Sequence, residues 1–125
     1  MIRSVLVFAL VSGALSGPAA ALTQDEARKC AAMARTFDGK TAEIEALKKA
    51  RVEAAAIAET AGEAWENAEP MREISRAMAA EADAALKAWD EAKLAFQAKD
   101  AALRSATQML NRDISEYNLT CAKDE

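Results

Sequence analysis

Residues 70–117 read PMREISRAMAAEADAALKAWDEAKLAFQAKDAALRSATQMLNRDISEY, and the spacing of their apolar side chains decides the fold. Met71, Ile74, Met78, Ala85, Trp89, Ala92, Phe96, Leu103, Ala106, Leu110 and Tyr117 follow one another at steps of three, four or seven. Such steps keep these side chains on one face of a helix, and an apolar repeat held over about six heptads is the pattern of coiled-coil packing. Neither Gly nor a further Pro interrupts the run. Pro70 suits a first helical position, where its missing N–H would have no intrahelical acceptor. The reading is one long helix from Pro70, with Met71, Ile74, Met78, Trp89, Phe96, Leu103, Leu110 and Tyr117 as a coiled-coil seam. Lys99 falls on the same stripe, either snorkelling from a partly open seam or selecting register at some cost in stability.

Upstream lies its expected partner. Thr23, followed three residues later by Glu26, forms a capping box, so a first helix should begin near residue 24. Ala27, Cys30, Ala34 and Phe37 share one face. Ile44, Leu47, Ala50, Ala54, Ile57, Ala61 and Ala64 continue as a stripe that should end around Asn67, because Glu69 precedes Pro70. A stripe of small residues lets two helix axes approach closely and suits antiparallel packing against the bulkier seam. Asp38 and Gly39 set a break or kink against continuity, since Gly costs about 1 kcal/mol relative to Ala inside a helix.

Composition agrees with an all-α chain. Of the 104 residues after Ala21, 63 are Ala, Glu, Lys, Leu or Arg, above the half that marks long helices and coiled coils. Only two glycines and one proline stand in that stretch, too few for an all-β fold. Its 15 basic side chains against 20 acidic ones argue against nucleic acid and anionic membrane surfaces as partners. Acid-before-base pairs four apart, at Asp25 and Lys29, Glu45 and Lys49, Asp83 and Lys87, and Asp100 and Arg104, read as solvated helix faces. The expected architecture is a long antiparallel helical hairpin or coiled coil forming a single domain over residues 22–125.

Residues 1–21 read as a cleaved signal peptide. Arg3 supplies the positive start, Val5 to Val11 with small neighbours the apolar stretch, and Pro18 precedes Ala19, Ala20 and Ala21. The apolar run of about 11 residues is shorter than the roughly 20 of a membrane-spanning helix. A periplasmic or secreted protein without stable membrane insertion is the expectation.

In an exported chain, two cysteines suggest a disulfide between Cys30 and Cys121. Within one chain it meets a geometric objection. At 1.5 Å per residue, Cys30 to Asn67 spans about 55 Å and Pro70 to Cys121 about 77 Å. A hairpin turning at Pro70 would therefore leave the cysteines about 20 Å apart, whereas a disulfide needs Cα atoms within about 7 Å. Two bends would shorten the gap: a kink near Gly39, or a break after Asn111 with Asp113 capping a short C-terminal helix. An intermolecular bridge and free thiols are the alternatives.

The absent chemistry narrows the function. The chain has no His, which removes His-based acid-base catalysis, Ser/His and Cys/His nucleophiles, and nearly all zinc and copper sites. Gly39 and Gly62 alone cannot build a glycine-rich phosphate loop, and two cysteines cannot hold an iron-sulfur cluster. Met71 and Met78 as a soft-metal pair, and Trp65 with Trp89 as a ligand stack, read more simply as packing. The expectation is no catalytic residue, no cofactor or metal, and no small-molecule substrate.

What remains is a non-enzymatic structural or protein-interaction module that binds a protein partner or itself. Leu22, Thr23 and Glu26 resemble one Leu-Thr-x-x-Gln element of a family of small helical periplasmic chaperones, with Glu in the place of Gln. That resemblance implies a holdase as one alternative, and helix capping accounts for the same residues. A stoichiometric inhibitor or adaptor of another envelope protein is the other.

Overall fold

A computed structural model of the chain describes residues 22–122; the segment read as a signal peptide lies outside them. Two helices of 45 residues each, α1 (Gln24–Ala68) and α2 (Arg76–Thr120), pack against each other as a helical hairpin. A 3-10 helix (Glu69–Met71) and a turn join them, and there is no strand among the described residues. α1 starts at its capping box: the Glu26 N–H donates to Thr23 Oγ1 at 3.2 Å, and the Thr23 N–H donates to the Glu26 carboxylate at 2.7 Å. Two of the orphan donors at the helix start are thereby satisfied.

The connection corrects the reading of Pro70. Pro70 sits in the 3-10 helix rather than opening α2, a place its fixed φ and missing N–H also suit. α2 begins six residues later, where the Ser75 hydroxyl accepts from the Met78 N–H at 3.2 Å. Residues 69–74 turn helically, with the Arg72 and Ile74 N–H groups donating to the Glu69 and Met71 carbonyls. The chain therefore keeps climbing past Ala68 and reverses at Ser75.

That shift removes the mismatch between the two arms. Cys30 stands 45 residues before Ser75 and Cys121 45 residues after Arg76, and their Cα atoms are 5.7 Å apart, joined by a disulfide. Neither expected bend is present. α1 runs uninterrupted through Asp38 and Gly39, and α2 runs uninterrupted through Asn111, so there is no separate short C-terminal helix. A β-carbon on Gly39 would meet nothing within 4 Å, which makes it an ordinary exposed helical position. Asp113 bonds Lys40 across the hairpin instead of capping a new helix.

The interior is thin. Buried apolar residues among those described are Ile44, Ala54, Ala82 and Ala92, together with Gly62. α1 keeps a seven-residue repeat, Cys30, Phe37, Ile44, Arg51, Ala58 and Trp65, each at least half-buried. Ile57 and Ala64, read from the sequence as part of the inner stripe, are exposed, and Ala58 and Trp65 face inward in their place. The error was one of phase: beyond Ala54 the inward steps are four, three, four, not three, four, three.

Candidate interaction surface

From its open end to its apex the hairpin is closed by a ladder of cross-helix contacts. After the disulfide comes Phe37 against Tyr117, edge to face, with centroids 5.5 Å apart. Lys40 then donates to Asp113. Arg51 donates from Nε to Asp100 at 2.5 Å while its guanidinium lies over the Phe96 ring, 5.1 Å from the centroid. Nearer the apex Trp65 and Trp89 stack with centroids 5.1 Å apart, and the Lys93 ammonium stands 3.9 Å from the Trp89 centroid. At the apex Arg72 pairs with Glu69 at 2.9 Å and with Asp83 at 2.7 Å. Each cross-helix pair is centred within three residues of Arg76, so one register holds throughout.

Glycine makes the tryptophan rung possible. A β-carbon at residue 62 would lie 3.0 Å from Trp89 Nε1 and 3.3 Å from its Cε2, so the indole rests on the α1 backbone. Trp65 Nε1 is buried without an acceptor, so the rung is held by ring contact and not by a polar anchor. Sequence reasoning assigned no role to Gly62, Lys40 or Arg51. A strict seven-residue count from Cys30 would have placed Arg51 inside the seam.

The residues read as the α2 seam divide into two sets. Met71 and Ile74 precede α2 and are exposed, 45% and 63% respectively. Met78, Trp89, Phe96, Leu103, Leu110 and Tyr117 are half-buried along the hairpin. Lys99 is exposed, and Asp100 faces the seam instead, salt-bridged to Arg51 and also to Arg104 at 2.9 Å. Of the four charge pairs expected at four-residue spacing, Asp100 with Arg104 is seen. Asp25 and Glu45 reach Arg28 and Lys48 at three-residue spacing, and Asp83 reaches Arg72. The Arg51 hydrogen bond holds the Asp100 carboxyl below the usual range, and the Lys40 hydrogen bond does the same for Asp113.

The two flanks of the ladder differ. On one, Gly62 is buried and Leu86, Lys93 and Asp100 are half-buried, so side chains fill the groove from the apex to Asp100, while Thr107 and Ile114 at the same seven-residue spacing are exposed toward the open end. On the other, Ile57 and Ala64 of α1 and Ala88, Ala95, Ala102 and Met109 of α2 are all exposed. Open grooves run along this second flank, one lined by Ala56, Ile57, Thr60, Ala61 and Ala64, a second by Ala64, Asn67, Ala68, Met71, Met78 and Glu81 toward the apex. A third, nearer the open end, is lined by Lys40, Glu43, Ala106 and Met109 among others.

Among the described residues no group of three or more Cys, Asp or Glu side chains is placed to hold a metal ion. No helix there is long and apolar enough to cross a membrane. What the arrangement offers is a helical rod with one flank filled toward the apex and one open flank rich in alanine. Comparison of the chain with family models, curated proteins and solved structures found no match.

Proposed function

We propose that this chain is an exported, non-enzymatic helical protein that works as a structural or protein-interaction module, its hairpin locked by the Cys30–Cys121 disulfide. The observation that carries the reading is the sidedness of the rod. A flank of exposed alanines with Ile57 and Met109, left open beside one that is filled toward the apex, is the kind of surface that meets another protein. The disulfide fits an oxidising compartment, and the Arg3-led apolar segment ending at Ala21 fits export.

The test expresses the full chain in a Gram-negative bacterium and fractionates the envelope. The expected result is a periplasmic or secreted species shortened by the 21 N-terminal residues, which mild crosslinking joins to one protein, or to itself, at fixed stoichiometry. A cytoplasmic, unprocessed chain would contradict the export half. Crosslinking to many unrelated polypeptides at low occupancy would replace the module with a holdase.

A further inference from the structure

We infer that the occupant of the open flank is a second copy of this chain, so that two hairpins form a four-helix bundle. The inference rests on the interaction-module reading and names its partner. Ile57 stands 63% exposed, Met109 50% and Met71 45%, all on this flank. In a register centred on residue 76, Ala50 is level with Ala102, Ile57 with Ala95, and Ala64 with Ala88. Glu43 with Met109 and Met71 with Glu81 close the two ends.

The dimensions suit a dimer. From the level of Glu43 to that of Met71 is 28 residues, about 42 Å of helix. Two packed helices are about 20 Å wide. The flank is therefore about 800 Å² on each copy, the area that a standard stable interface covers per partner.

Its relief suits this chain in particular. With the two-fold axis along the hairpin, each α1 lies antiparallel over the other copy's α2. The bulky Ile57 then rests on the other copy's small Ala95, and Ala50 and Ala64 meet Ala102 and Ala88 at close approach. Glu43 and Glu81 come level with the other copy's Met109 and Met71, so no two acids oppose each other. The bundle would supply the enclosed interior that the single hairpin lacks, since four apolar residues are buried among those described.

The test measures the molar mass of the processed chain by sedimentation equilibrium from 1 to 500 µM, with thermal melts at both extremes. A dimer is expected, with a melting midpoint that rises with concentration. Ala95→Glu and Ile57→Glu, at exposed positions, should leave far-UV helicity intact and weaken the dimer by about 100-fold or more, because each would place an unpaired charge against the other copy. Leu94→Glu, also exposed, should leave the dimer unchanged.

A wild-type chain that stays monomeric at 500 µM would overturn the inference while leaving the interaction module intact for a different partner. A dimer indifferent to both flank substitutions would overturn it too. Should either variant lose helicity, the wild-type mass and the concentration dependence of its melt still decide.

Discussion

Two glycines inside one helix carry opposite consequences at the scale of single residues. Gly39 is exposed with open space around it, so Gly39→Ala should gain helix propensity without a clash and stabilise by about 1 kcal/mol. For a domain of about 100 residues that is a rise in Tm of roughly 4–8 °C. Gly62→Ala has the same propensity gain, but its methyl would lie 3.0 Å from an indole already stacked on Trp65 and covered by Lys93. A lower Tm is expected, and thermal melts of the two variants side by side check both signs. Phe96→Ala removes the ring beneath Arg51; because that ring is half-buried, the loss should be about 2 kcal/mol, below the roughly 3–5 of a fully enclosed Phe. Chemical denaturation measures it, and an unchanged midpoint would show that this position does not hold the seam.

At the scale of the elements, the helices are joined by two charged pairs as well as by apolar contact. Asp100 and Asp113 are hydrogen-bonded by Arg51 and Lys40, and both carboxyls are held below their ordinary range. A carboxyl depressed in the folded state contributes stability that is complete above its unfolded value, near 4, and is lost as pH falls through the folded one. Denaturant melts from pH 7 to pH 2 should therefore show a loss of stability below about pH 4. The double variant Asp100→Asn, Asp113→Asn should be less stable than the wild type at pH 7 and lose less on acidification; an equal loss in both proteins would assign the acid sensitivity to other groups.

Legibility in the sequence divides along the same line. Heptad spacing exposed the large seam residues from Met78 to Tyr117, because apolar periodicity is what a helix interface imposes. It hid Lys40, Arg51, Asp100 and Asp113, because charged residues inside a seam break the pattern by which a seam is recognised. The apex was misplaced because Pro70 opens a 3-10 turn as readily as a long helix, and Ser75 lacks the Glu or Gln three positions on that would have completed a capping box. The open flank was hidden as well, since exposed alanines carry no periodic contrast.

For the whole molecule, the disulfide and the apex determine each other. A hairpin with arms of 45 residues on either side of the Ser75–Arg76 reversal brings Cys30 and Cys121 together without a bend, and the distance objection dissolves once the reversal moves away from Pro70. The bridge spans a sequence separation of 91 residues, so on the loop-entropy account it stabilises by about 4–5 kcal/mol. That is comparable with the net stability of a small domain. Reduction should therefore lower the melting midpoint more than any single seam substitution, as circular dichroism with and without reductant would show.

The most direct measurement is proteolysis of the purified chain, alkylated without reductant, followed by mass spectrometry of the linked peptides and of the intact polypeptide. The account expects the Cys30 peptide joined to the Cys121 peptide within a chain of monomeric covalent mass, with neither cysteine alkylated. Two alkylated thiols, or a covalent dimer joined through these residues, would contradict it, because the register centred at Arg76 places the two cysteines of one chain side by side.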